Sequence, residues 1–281
     1  MRVDRITAGG IALAASLLVA GTALAAPLAF GERNLEVPVP QGFAPVAQRL
    51  PQFITLAQGY LPAGNRLVEA YLLPDDATAM ESGEQVEIKR YFQVQTLRKL
   101  DGVPVSAAEF TEVSGQLEAQ LGTMLADAGK LGDELARQGN DAAKRQAGVD
   151  PKVGLGGLAY LGSFRKEPWA LFFTTRAVVT IDGVQVPATA ASALAVINHQ
   201  VAYLYAYTYE EDASPNGRAW AERAVSQWAD AVHAANPDDP ALEANAKRLG
   251  GGFNWSSVGR GAFIGGLCGM FIWLFRRRQA R

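Results

Sequence analysis

Histidine is the side chain best suited to moving protons near neutral pH, and this chain of 281 residues has two of them, His199 and His233. His199 follows Asn198 between two apolar runs, where a tight turn is expected. His233 falls on the flank of an expected helix. Neither belongs to an H-E-x-x-H pair or a Cys/His cluster, so no metal site is expected. No G-x-S-x-G elbow and no phosphate-binding P-loop occurs. The catalytic arrangement left open is a Ser-His-acid site assembled in space around one histidine, which would make the protein a hydrolase. Gly154-Leu155-Gly156-Gly157-Leu158-Ala159 matches G-x-G-x-x-A in letters, yet Asp150-Pro151 precedes it and a β-rich segment follows. A dinucleotide-binding turn needs a strand before and a helix after, so a loop is expected here and no cofactor is assigned.

Aromatic residues carry a different chemistry. Tyr203, Tyr205, Tyr207 and Tyr209 alternate along V-A-Y-L-Y-A-Y-T-Y, which places all four on one face of a strand. Tyr203, Tyr205 and Tyr207 are the candidates to floor a pocket, with Trp169 or Trp220 as wall. The competing reading is packing inside a central strand, where each hydroxyl still needs a partner.

Two apolar segments determine where these residues act. Arg2 and Arg5 precede an uncharged stretch ending in Ala23-Leu24-Ala25, the order of a secretory signal peptide. Residues 1–25 are expected to be removed. Near the other end, Gly261 to Phe275 is apolar and runs into Arg276-Arg277-Arg278. Counted from Ser256, it reaches the length of a spanning helix, with the arginines on the cytoplasmic side. Gly261, Gly265 and Gly269 fall four apart on one face of it, a spacing that lets two membrane helices pair. Cys268, the single cysteine, lies in the same segment, so the exported part has no disulfide.

The expected organisation is therefore a leader (1–25), an exported globular domain (26–240), a tether (241–255), a transmembrane helix (256–275) and a basic cytoplasmic tail (276–281). That is a protein of the bacterial inner membrane with its domain in the periplasm. Residues between the leader and Arg260 include 19 basic and 27 acidic side chains, a net charge of about −8. Such a domain is poorly suited to nucleic acid. The membrane, a protein partner and self-association through the glycine face are the partners expected.

Within the domain, Leu35 to Val39 alternates as an edge strand and is closed by Pro40-Gln41-Gly42. Leu50 to Leu61 reads as a helix, and Asn65–Leu73 and Val86–Leu97 read as strands. Ser106 with Glu109 three residues on is a capping box for a helix running to about Lys144, interrupted by Gly115, Gly122, Gly129 and Gly132. Asp182-Gly183 joins two β-rich runs as a hairpin, and Asn198-His199-Gln200 a second pair. The strand from Val201 is apolar or aromatic on both faces and needs cover on both. A helix starting after Ser214-Pro215-Asn216 and running to about Asn236 shows Trp220, Ala224, Trp228 and Val232 on one stripe. The fold expected is α+β, a mostly antiparallel sheet covered by helices on both faces (an α/β/α sandwich), plus one C-terminal transmembrane helix.

The segment Ile197 to Asn236, with its turn, aromatic strand, Trp220 and Trp228, and the opening Val37-Pro38-Val39-Pro40-Gln41-Gly42-Phe43 resemble the PsbP/Mog1-like fold. That resemblance implies an antiparallel sheet between helices and binding or assembly roles without catalysis. The function expected is a non-catalytic, membrane-anchored envelope protein that binds a protein or a ligand; the alternative is an exported hydrolase.

Overall fold

The structure is a computed structural model, which describes residues 25–84, 86–124, 128–148, 150–209 and 215–249. In chain order its elements are β1 (Ala25–Phe30), β2 (Arg33–Pro38), β3 (Ala44–Pro45), α1 (Pro51–Gly59), β4 (Asn65–Leu72), α2 (Pro74–Glu81) and β5 (Arg90–Leu97). There follow α3 (Ala107–Met124), α4 (Ala128–Ala147), β6 (Val153–Glu167), β7 (Ala170–Ile181), β8 (Val184–Ile197), β9 (Gln200–Thr208), α5 (Pro215–Ala235) and α6 (Pro240–Leu249).

Local chemistry accounts for many of these boundaries. Proline opens α1, α2, α5 and α6, at the one helical position where a missing N–H is harmless. Asp239 caps α6 by accepting from the Ala241 N–H at 2.8 Å. The capping box before α3 forms in full: Ser106 N–H donates to Glu109 at 3.1 Å and Glu109 N–H to Ser106 Oγ at 3.2 Å. Asp182 (φ 48°) with Gly183 (φ 86°) and Asn198 (φ 43°) with His199 (φ 65°) are two-residue turns in the left-handed region, which match the twist of the strands they join.

Seven strands form one sheet in the order β3-β4-β5-β9-β8-β7-β6, every pairing antiparallel, while β1 and β2 form a separate two-stranded ribbon. β9 is the central strand and all its residues are buried. Its period of two sends Val201, Tyr203, Tyr205 and Tyr207 to one core layer and Ala202, Leu204 and Ala206 to the other. The tyrosine layer is closed by α1, α2, α3 and α4 through Phe53, Ala77, Phe110, Leu117 and Leu135. The alanine layer is closed by α5, through Ala221, Val225, Trp228 and Val232, together with Phe30, Leu35 and Val37 of the ribbon.

Two expectations are corrected here. The second face is covered by one helix and a β-ribbon, not by helices alone, because β1 and β2 pair with each other and lay their apolar side on the sheet. The transmembrane helix is the other. Among the described residues no helix is long and apolar enough to cross a membrane. The last described helix, α6, has ten residues and carries Glu243, Lys247 and Arg248. Segment 256–275, with Gly261, Gly265, Gly269 and Cys268, lies outside the described residues, as does most of the expected leader.

Smaller differences have local causes. Gly154–Ala159 is the start of edge strand β6, not a loop; the strand absorbs its glycines as bulges, with register shifts between Gly156 and Ala159 and twice more. The long helical stretch is seen as α3 up to Met124 and as α4 from Ala128; residues 125–127 lie outside the described residues. Residues Pro74–Glu81, between two expected strands, form α2, whose first turn holds Asp75 and Asp76.

Candidate functional site

An aromatic groove forms where the ribbon, the central sheet and α5 meet. The turn Pro40-Gln41-Gly42-Phe43 closes with the Phe43 N–H donating to the Pro40 carbonyl at 3.0 Å, and Gly42 takes the positive φ (83°) this turn requires. The reversal lays Phe43 edge-on against Phe92 of β5, with centroids 4.7 Å apart. From α5, Trp220 and Trp228 pack on the same ring at 5.8 and 5.2 Å, and Tyr71 meets Trp228 edge-on at 5.5 Å. These edge-to-face contacts hold the rings in fixed orientations.

Trp228 is buried and donates its indole N–H to the Pro38 carbonyl at 2.7 Å, so the ribbon's end is tied to α5. Asn236, at the end of α5, repeats the tie: it accepts from Glu36 N–H at 2.8 Å and donates to the Glu36 carbonyl at 2.7 Å. Beside the Trp228–Pro38 anchor lies an open cavity of about 390 Å³. Its floor is Phe92, Trp220 and Trp228, its walls Pro38 to Phe43 and the α5 residues Ala224, Gln227 and Ala231. Trp220 is half-buried, and the Arg90 guanidinium lies over its ring at 4.6 Å. The lining contains no charged side chain. Such a site selects by shape and apolar contact, with Gln41 and Gln227 as the polar groups at its mouth.

The tyrosines of β9 sit elsewhere. Tyr203, Tyr205 and Tyr207 are at most 1% exposed and lie on the opposite face of the sheet from Trp169 and Trp220. Tyr207 stacks on Tyr91 at 4.4 Å with the planes 9° apart. Burial pushes the Tyr91 and Tyr203 hydroxyls far above the ordinary tyrosine range, so they stay protonated. An amide chain runs beside them: Asn65 donates to Gln95 at 3.1 Å, Gln95 to Gln93 at 2.9 Å, and the Tyr207 hydroxyl reaches Gln93 at 3.4 Å.

His199 is 3% exposed at the β8–β9 tip. Its Nδ1 lies 3.2 Å from both the Val105 carbonyl and a Glu243 carboxylate oxygen. Both neighbours are acceptors, which places the ring proton on Nδ1. The pair has the acid and histidine of a triad. No hydroxyl completes it: Nε2 is buried without a hydrogen-bond partner among the described residues. Ser106, next to Val105 in the chain, gives its hydroxyl proton to Glu109 at 2.8 Å. His233 stacks flat on Trp169 at 4.2 Å. Ser163 on β6 is bonded to Glu118, and with Lys166 holds that carboxyl below its ordinary range, so the glutamate is a weak base for the exposed hydroxyl.

A larger open cleft of about 580 Å³ lies between α4 and the start of β6, lined by Asp133, Arg137, Asp141, Asp150 and Lys152. Its charges are of both signs and solvated; Lys144 and Asp150, 3.9 Å apart, are each more than half exposed. No group of three or more His, Cys, Asp or Glu converges as a metal site among the described residues.

The groove was invisible to periodicity because its walls come from residues far apart in the chain. The stripe of Trp220, Ala224 and Trp228 and the Pro40-Gln41-Gly42 turn were each readable, but nothing in either said that they face one another. Compared with known proteins, the chain matches no protein-family model and no curated protein.

Proposed function

We propose that this protein is a non-catalytic, exported binding module of the bacterial cell envelope, which takes a protein segment or small apolar ligand into the aromatic groove between Pro38–Phe43 and α5. The observation that carries the reading is the groove itself: the rings of Phe43, Phe92 and Trp220 held edge-to-face, two of them half-buried, around an open cavity with no charged side chain in its lining. A large aromatic surface left accessible beside buried anchors is the usual composition of a recognition site. The PsbP/Mog1-like resemblance belongs to the same proposal. It is supported by the packing of the two segments that carry it, since Pro38 and Trp228 join across 190 residues of chain.

The second reading, an exported hydrolase, draws on the His199–Glu243 pair. A phosphonate that labelled a serine in a His199-dependent manner would favour it.

The binding reading is tested by following the indole N–H resonances of the full-length protein while free indole is added as an apolar probe. Trp220 is expected to shift and Trp169, stacked on His233, to stay. Equal shifts of both, or of neither, would contradict it.

A further inference from the structure

Resting on the reading of the groove as a binding site, we propose that its occupant is an extended, proline-containing peptide segment in the polyproline II conformation.

The chain already lays an extended, proline-containing segment along the groove: strand β2 ends at Pro38, and Pro40 opens the turn that follows. Val37 and Val39 each precede a proline, which drives both toward extended backbone, and Pro38 and Pro40 have φ fixed by their rings. Trp228 donates its indole N–H to the Pro38 carbonyl at 2.7 Å. Aromatic-lined grooves of this kind are the recognised seat of proline-rich strands, whose low conformational entropy is lost before binding. The groove is continuous with that intramolecular interface. Beyond Trp228, the rings of Phe92, Phe43 and Trp220 carry the same aromatic surface onward, with the Arg90 guanidinium over one face of Trp220.

Dimensions and polarity agree. From Trp220 to Ala231 the helix rises about 16 Å at 1.5 Å per residue. Five residues of polyproline II cover about 15 Å. A polyproline II strand makes no internal hydrogen bonds, and proline brings no donor, so its carbonyls need donors from the receptor. Gln41 and Gln227, both exposed at the mouth, can supply them. A charged ligand would meet no counter-charge among the lining residues.

The test is calorimetric titration of the full-length protein with two capped peptides, Val-Pro-Val-Pro-Gln and its Val-Ala-Val-Ala-Gln counterpart, with free indole as the apolar probe. The proline peptide is expected to bind at least about tenfold more tightly than the alanine one. Trp220→Ala and Ala231→Arg are each expected to weaken it by about tenfold or more. Ala231 is exposed on α5, so its variant carries the comparison if Trp220→Ala fails to fold. Equal affinity for the two peptides, or no binding of either while indole still engages Trp220, would overturn the peptide proposal and leave the groove standing. Loss of indole binding as well would remove both.

Discussion

The indole N–H of Trp228 meets the carbonyl of Pro38 at 2.7 Å, 190 residues away in the chain. This bond fixes the end of the ribbon against α5 and so sets the width of the groove. Trp228→Phe keeps a ring against Tyr71 and Phe92 but leaves the Pro38 carbonyl without its donor. The expected loss of stability is about 1–3 kcal/mol, measured by urea denaturation. An unchanged midpoint would mean that the bond does not hold the ribbon.

Glycines in α1, α3 and α4 divide into two kinds. A Cβ on Gly139 would lie 1.9 Å from Cδ1 of Tyr60, and one on Gly59 would lie 2.7 Å from the Ala142 side chain, so α1 and α4 touch backbone to side chain. A Cβ on Gly115 would meet only the tip of Lys166, at 3.7 Å. Gly115→Ala is therefore expected to stabilise by up to about 1 kcal/mol through helix propensity. Gly139→Ala is expected to destabilise by about 1–3 kcal/mol through overpacking. Thermal denaturation of the two variants side by side checks the pair, and shifts of the same sign would contradict this packing.

Glu69 makes a pH-dependent contribution. One carboxylate oxygen accepts from the N–H groups of Val46, Ala47 and Ala70 at 3.1, 2.7 and 2.9 Å, which pins the start of the chain leading to α1 onto β4. Burial pushes the carboxyl's pKa above the ordinary glutamate range, and the three hydrogen bonds pull it back only in part. The folded state thus holds this proton more tightly than the unfolded chain. Stability falls as pH rises from the ordinary glutamate value through the raised one, and the penalty persists above it. Glu69→Gln keeps an accepting oxygen without the charge. Its stability relative to the parent is expected to grow as pH rises through that window and then to level off, in urea titrations from about pH 4 to about pH 8. A difference that is flat, or that shrinks with rising pH, would contradict the burial argument.

Legibility in the sequence followed the range of the interactions. The two left-handed turns, the Ser106–Glu109 capping box and the double-sided β9 depend on residues within a few positions of each other, and their residue types announce them. Longer-range features left weaker marks. Gly132 looked like a helix weakener and is a notch for β6, since a Cβ there would lie 2.8 Å from the Leu155 carbonyl oxygen, a role set by a neighbour in another element. The glycines at Gly154 to Gly157 looked like a loop because bulged edge strands break the period of two. The ribbon strand β1 takes the place expected of a covering helix because its partner β2 directly follows it. Burial of Tyr203, Tyr205 and Tyr207 was one of two readings of the same alternation; the placement of α1 to α4 over that face decides where they sit.

The central claim is that the groove beside α5 is where this protein engages its partner in the cell. Its most direct test places a photoreactive residue at Gln227, on the groove's exposed rim, and a second at Asp182, in the β7–β8 turn, in the full-length protein expressed in its own cells. The account predicts a discrete crosslinked adduct from position 227 that disappears when Ala231→Arg is added, and no such adduct from position 182. Adducts identical from both positions, or none above background from position 227, would contradict it.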